Sequence, residues 1–169
     1  WEQALTMYLA RAETCRLFKR PLNLARTLNN IGEIYHRLHQ DEAALQCYGE
    51  ALDLLQNLEN SNLYETADIL ANQALSFQQQ QNGTAARAAS DRALQLLETI
   101  RTPLTGDTAR RGFLGTRIRY YEGRIDLELM SQQPEAALTI LERSKSRTFI
   151  EILAEHPALL AEFPNRQAA

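Results

Sequence analysis

The stretch TLNNIGEIYHRLHQDEAALQCYGEAL, residues 27–52, decides the fold, because its pattern of small and aromatic residues returns 42 positions later. The second copy, residues 69–94, reads ILANQALSFQQQQNGTAARAASDRAL. A period of this length is typical of stacked supersecondary units, each of which buries its apolar face against the next. The matching pairs are Gly32 with Ala74, Tyr35 with Phe77, Ala44 with Ala86, and Ala51 with Ala93.

Apolar residues recur at spacings of three and four along most of the chain, which predicts helices throughout. The tetrad Glu-Ala-Ala-Leu occurs at residues 42–45 and again at 135–138, and each copy is expected to open the second helix of a hairpin. Asp41, Asn62 and Gly83 are suited to helix ends, as caps or as a left-handed terminal residue. From these signals, further helices are predicted over about 63–80, 84–100, 108–131 and 134–154.

Small residues are expected where the two helices of a hairpin cross closely, for example Gly32 against Ala44. A large side chain at such a crossing would hold the two backbones apart. Tyr35, Tyr48 and Phe77 are then expected to fill the space between successive hairpins.

The composition excludes several classes of function. The 169 residues carry a net charge of −3, which gives no long-range field that selects nucleic acid or anionic lipid. No apolar run of about 18 residues is present, so no membrane span is expected. Cys15 and Cys47 lie in no metal-ligand spacing, and neither a metal nor another cofactor is expected. Free thiols and the lack of a visible signal peptide make the cytoplasm the expected location.

Residues 27–52 and 69–94 resemble the tetratricopeptide repeat family, in which small, aromatic, alanine, aromatic and alanine positions follow in this order. The period of about 40–42 residues exceeds the usual 34 or so of that family, and implies helices about one turn longer. Armadillo and HEAT repeats have a similar period but lack this arrangement. The resemblance implies an all-α fold, an elongated stack of antiparallel helical hairpins over residues 1–101. It also implies a non-enzymatic scaffold that binds proteins or peptides.

Residues 107–155 depart from the repeat pattern, since Glu128 stands where an aromatic residue would fall. They resemble the last helical hairpin before a CHAT domain, the caspase-like peptidase domain that follows tetratricopeptide repeats in many bacterial proteins. The resemblance implies that the chain is the sensor or adaptor part of such a protein, with a C-terminal extension over residues 156–169. It rests on RRGF at 110–113, YYEGRIDLEL at 120–129, and EAALTILERSKSRTFIEIL at 135–153.

Basic residues near the end of this hairpin have two interpretations. They form either an interdomain contact with the following peptidase domain or a solvated helix face. The residues are Arg143, Lys145 and Arg147.

The first helix of each hairpin is expected to line the concave side of the stack. Asn30 and Asn72 occupy the same place in two repeats, and Gly123 falls near that place in the third hairpin. An amide can donate to and accept from the main chain of an extended peptide; the resemblance implies this role, and the alternative is that both amides bond only within the scaffold. The predicted peptide-binding residues are Asn30, Asn72, Arg26, Asn29, Glu33, Arg37, Asp68 and Gln79.

Other interpretations are weaker. His36 and His39 appear close together near a helix end, are expected to be solvated, and form no oriented pair with a cysteine. The arginines around Tyr120 and Tyr121 could form a phosphate-and-stacking surface, but acidic residues lie among them, so packing against a following domain is favoured over nucleic-acid binding. The remaining alternative is a structural module that self-associates or packs on a neighbouring domain without a separate ligand.

Overall fold

The computed structural model describes the backbone of residues 1–58, 62–99 and 107–155, and the side chains of residues 1–58, 62–99 and 118–145. Throughout these ranges the regular structure is helical, as the sequence predicts. The helices are α1 (Glu2–Leu17), α2 (Pro21–Arg37), α3 (Asp41–Gln56), α4 (Leu63–Gln79), α5 (Gly83–Thr99), α6 (Asp107–Met130) and α7 (Pro134–Glu155).

The helices pair into three antiparallel hairpins, α2 with α3, α4 with α5, and α6 with α7, and α1 packs on α2. The first helices of successive hairpins also meet, since α2 contacts α4 and α4 contacts α6. Within the described residues, the second helices α3 and α5 make no contact with each other. The hairpins are therefore closest together on the side where α2, α4 and α6 lie, and we call this side the inner face.

Each turn after a first helix uses the same local geometry. His39, Gln81 and Gln132 have positive φ angles of 59°, 60° and 57°. The next residue donates its backbone N–H to a carbonyl five positions back, as in Gln40 N to Tyr35 O at 2.9 Å. This is the hydrogen bond of a Schellman motif with a residue other than glycine in the left-handed position.

The Schellman motifs also align the hairpins. The carbonyl that accepts this bond belongs to Tyr35 in the first hairpin, Phe77 in the second and Glu128 in the third. Glu128 therefore occupies the aromatic position of the repeat, as its place in the sequence predicts.

Two of the predicted helix signals are wrong in detail. Gly83 was expected to take the left-handed conformation, but Gln81 does so, and Gly83 is the first residue of α5. Asp41 was expected to be an N-cap, but Gln40 holds that position. Asn62 is the N-cap of α4, as its place in the sequence indicates, although its side chain makes no cap hydrogen bond. The nearby Glu65 pairs with Arg26 of α2.

The core of the first hairpin is built around Tyr48, which is fully buried. Its ring lies directly on Gly32: a Cβ atom placed there would be 2.4 Å from Tyr48 Cε1 and 2.8 Å from Cζ. Ala44 and Ala51 are also fully buried in this cluster. The small residue at position 32 thus makes room for an aromatic ring, whereas the sequence predicted an alanine opposite it.

Candidate functional site

A cavity of about 460 Å³ lies on the inner face, lined by residues of α2, α4 and α6. Tyr48 of α3 and Ser90 of α5 contribute to its floor, and Leu75 and Ala71 supply apolar wall. Its volume is within the range of about 300–1,000 Å³ typical of ligand pockets. We call it the inner cavity.

The basic side chains of the inner cavity are held by acidic partners. Arg37 Nη2 lies 2.7 Å from Glu33 Oε1, one turn earlier on α2. Arg119 Nη2 lies 2.9 Å from Asp68 Oδ1 of α4. Both arginines are therefore already neutralised by neighbouring carboxylates.

Two acidic side chains of the inner cavity, unlike its arginines, have no charged partner among the described residues. Glu122 and Asp126 lie four residues apart on α6, line the cavity and are exposed. Neither makes an ion pair or a side-chain hydrogen bond with the described part of the chain. The described lining thus has two carboxylates whose charge is not compensated.

The Tyr48 hydroxyl is a further unsatisfied group. It is buried, the residue lines the inner cavity, and its oxygen has no hydrogen-bond partner among the described residues. Burial raises the pKa of Tyr48, with the carboxylate of Glu33 adding to the effect, so the phenol stays protonated. Most buried polar groups in proteins are paired, so the lack of a partner among the described residues distinguishes this hydroxyl from the other buried polar groups of the lining.

His36 connects three helices at one end of the inner cavity. Its Nδ1 atom lies 2.7 Å from Asp41 Oδ1 on α3 and 3.2 Å from Ser76 Oγ on α4. Asp41 and Ser76 are both buried. The expectation that His36 is solvated is therefore wrong: the carboxylate that was expected to cap α3 orients this imidazole.

The predicted asparagine positions have unequal surroundings. Asn72 lines the inner cavity, but its Nδ2 donates to Asn29 Oδ1 at 3.1 Å. Asn29 is only 7% exposed and donates in turn to Asp68 Oδ2 at 3.0 Å. Asn30 is half-buried and does not line the cavity. Asn29 and Asn72 thus bond within the scaffold.

Replacing Asn29 by alanine is expected to lower the free energy of unfolding by about 1–3 kcal/mol, because Asp68 and Asn72 each lose a partner in a semi-buried site. Asn30→Ala is the matched control, one residue away on the same helix, and is expected to change stability by less than about 0.5 kcal/mol. Urea unfolding of both variants gives the comparison. Equal effects would mean that Asn29 does not brace the α2–α4 contact.

The other predicted residues lie on the first helices of the hairpins or on α7. Arg26 pairs with Glu65, and Gln79 contacts His39 across the α2–α4 contact. Arg143 pairs with Glu98 of α5 at 2.6 Å, which ties α7 to the preceding hairpin. Lys145 is exposed. The side chain of Arg147 lies outside the described residues, and so do those of Arg110, Arg111 and Arg117.

The tyrosines of α6 are structural. Tyr120 and Tyr121 are buried, and the Tyr120 hydroxyl donates to Asp68 Oδ1 at 2.8 Å. Arg124 is buried and bound to Asp91 and Glu128. The side chains of Tyr120, Tyr121 and Arg124 are thus engaged in the packing of α6 on the preceding helices.

The cysteines are not arranged as nucleophiles. Cys15 is buried, and burial raises the pKa of the half-buried Cys47 thiol to about 11. A thiol with a raised pKa is protonated at neutral pH and reacts poorly. In the described ranges, no three His, Cys, Asp or Glu residues are grouped so that they could hold a metal ion. None of the described helices has the length and apolar character needed to span a bilayer.

Comparison with known proteins finds similarity to a family of helical repeats and to a solved structure. Residues 23–99 match the family model described as tetratricopeptide repeat. The fold is similar to the crystal structure of BtubC (BKLC) from P. vanneervenii, with a TM-score of 0.72 and 17% sequence identity. The likeness covers 100% of this chain and 63% of BtubC, so the chain spans less than two thirds of that relative. No curated protein matches the sequence significantly. The chain is an all-α, tetratricopeptide-like helical solenoid.

Proposed function

We propose that the chain is a non-enzymatic scaffold that binds an extended segment of a partner protein along the inner face. Tetratricopeptide repeats are generally protein-interaction scaffolds. The observation that carries the proposal is the inner cavity, whose lining comes from all three hairpins. The lining includes Tyr48, whose hydroxyl has no hydrogen-bond partner among the described residues. A segment that crosses α2, α4 and α6 would contact all three hairpins at once.

The predicted asparagines contribute differently under this proposal. Asn72 is at the cavity wall, where the oxygen of its amide can accept from the main chain of the segment while its nitrogen stays bonded to Asn29. Arg37 and Glu33 flank it from α2. We propose Asn30 as a peripheral contact of the segment, beyond the cavity.

A pair of glycines allows the cavity to be tested without damage to the fold. Gly123 lines the inner cavity and Gly49 does not, and a Cβ atom added at either position meets no atom of another residue within 4 Å. Gly123→Phe is expected to fill the cavity and weaken binding of the partner at least tenfold. Gly49→Phe is expected to leave binding unchanged. Both changes replace a helical glycine, so neither is expected to lower the melting temperature.

The measurement is the affinity of wild type and both variants for a natural partner found by pull-down. Equal affinities of the Gly123 and Gly49 variants would contradict the proposal and move the binding surface away from the inner face.

We also propose that, in the parent protein, residues 1–101 are the repeat region and residues 107–155 lead to a CHAT domain for which the chain is the sensor or adaptor, with residues 156–169 as an extension. The resemblance of residues 107–155 supports this, as do the exposed Leu138 and Leu141 on α7 near Lys145. The parent sequence after residue 169 tests it: strand-rich segments with a His and a Cys are expected, and further helical repeats would contradict it.

A further inference from the structure

The balance of charge in the inner cavity points to the chemistry of its ligand. Glu33 neutralises Arg37, and Asp68 neutralises Arg119. The charges that remain in the described lining are the carboxylates of Glu122 and Asp126, one turn apart on α6. An acidic ligand would meet two arginines that already pair with carboxylates, whereas a cationic ligand would meet two carboxylates that have no partner among the described residues.

The Tyr48 hydroxyl gives an independent indication of a ligand. It is buried and has no partner within the described ranges, although burial of an unpaired hydroxyl costs free energy. The Tyr48 ring passes over Gly32, where any larger residue would collide with it. Lysine and arginine carry only donors, and the lone pairs of this hydroxyl are a free acceptor for them.

The walls of the cavity also fit a long cationic side chain. Ala71, Ala74 and Leu75 of α4 supply apolar surface. Lysine and arginine bury their aliphatic stems against such surface while the charged end meets polar groups. Acidic and phenolic groups at other parts of the same lining supply those polar contacts.

We propose that the inner cavity receives a lysine or arginine side chain from the partner segment, with Glu122 and Asp126 binding its charge and the Tyr48 hydroxyl accepting one of its hydrogen bonds. This inference rests on the proposed function and adds the chemical class of the partner. Such binding would make the inner cavity selective for basic segments.

The test uses three fluorescent pools of 12-residue peptides that differ at two central positions, which are Lys or Arg, Glu or Asp, or Gln. Fluorescence anisotropy with the 169-residue chain measures their affinities. The basic pool is expected to bind at least tenfold more tightly than the other two. Glu122→Gln with Asp126→Asn is expected to abolish that preference, and Tyr48→Phe to weaken the basic pool by a few-fold without lowering the melting temperature.

The matched control is Asp53→Asn with Glu135→Gln, which changes the net charge equally at two exposed positions outside the cavity. It is expected to keep the preference, and loss of the preference in the control would overturn the inference because long-range charge alone would then explain it. If the acidic or neutral pool binds as tightly as the basic pool and Gly123→Phe abolishes this binding, the proposal of a cationic ligand is overturned. The inner cavity would then still be the binding site. No binding by any pool, or binding unaffected by Gly123→Phe, would overturn both.

Discussion

Replacing Glu128 by alanine is expected to lower the free energy of unfolding by about 3–5 kcal/mol, because Arg87 loses its carboxylate and the buried Arg124 keeps only one of two. Glu128 is 2% exposed and accepts hydrogen bonds from two guanidinium groups. Arg87 Nη2 of α5 lies 3.0 Å from its Oε2, and Arg124 of α6 pairs with its Oε1. Arg124 Nε also contacts Asp91 at 2.9 Å, which cannot compensate both arginines.

The contribution of Glu128 is expected to depend on pH. Hydrogen bonds from Arg87, and then from Arg124, hold the pKa of the Glu128 carboxyl below its ordinary value. A carboxyl whose pKa is lower in the folded than in the unfolded protein stabilises the fold fully at pH values above its unfolded pKa of about 4.3. This stabilisation is lost as the pH falls through the pKa of the folded state. The difference between wild type and Glu128→Ala should therefore be full at pH 7 and shrink below about pH 4.

Urea unfolding over pH 2–7 measures this difference, and Asp126→Ala is the control because Asp126 is an exposed acidic residue on the same helix. Its effect is expected within about 0.5 kcal/mol. Since repeat stability is largely nearest-neighbour, hydrogen exchange should speed up in α6 and α7 more than in α2 and α3. A Glu128 variant as stable as the Asp126 variant would mean that the ion pairs do not hold the third hairpin.

The fold was predictable because its signals are local. The 42-residue recurrence around Gly32 and Tyr35 gives the hairpin, and Pro134 and Glu135 mark the start of α7. The misses at Asp41 and His36 concern groups whose roles are set by another helix. The sequence position of Asp41 predicts an N-cap, but His36 of α2 lies close enough to bind the Asp41 carboxylate.

The candidate site was predictable only in part. The sequence indicated the inner face and the position of Asn72 on it. It could not show that Asn29, next to Asn30 on α2, would form hydrogen bonds with both Asn72 and Asp68. These partners are about one repeat away in sequence. The position of the Tyr48 hydroxyl likewise depends on packing. The sequence feature that could have indicated it is Gly32, because a glycine on α2 leaves room for the ring of Tyr48 on α3. Composition and periodicity carry no information on such contacts.

The contact between Gly32 and Tyr48 leads to the second large effect. Tyr48→Ala is expected to lower the free energy of unfolding by about 3–5 kcal/mol, since it empties a fully buried ring position. Gly32→Ala introduces a Cβ atom 2.4 Å from Tyr48 Cε1. Overpacking of this kind costs about 1–3 kcal/mol, which exceeds the gain of up to about 1 kcal/mol from replacing a helical glycine. A net loss of stability is therefore expected.

The two substitutions should not be additive. With Tyr48 already replaced by alanine, Gly32→Ala no longer meets the ring, so the helical gain remains and the second change should stabilise the protein by up to about 1 kcal/mol. A double-mutant cycle by urea unfolding measures this reversal of sign. Gly49→Ala on α3 meets nothing within 4 Å and should be stabilising in both backgrounds. If Gly32→Ala stabilised the wild-type chain as Gly49→Ala does, the ring would have to lie elsewhere, and the Tyr48 hydroxyl would lose its place in the inner cavity.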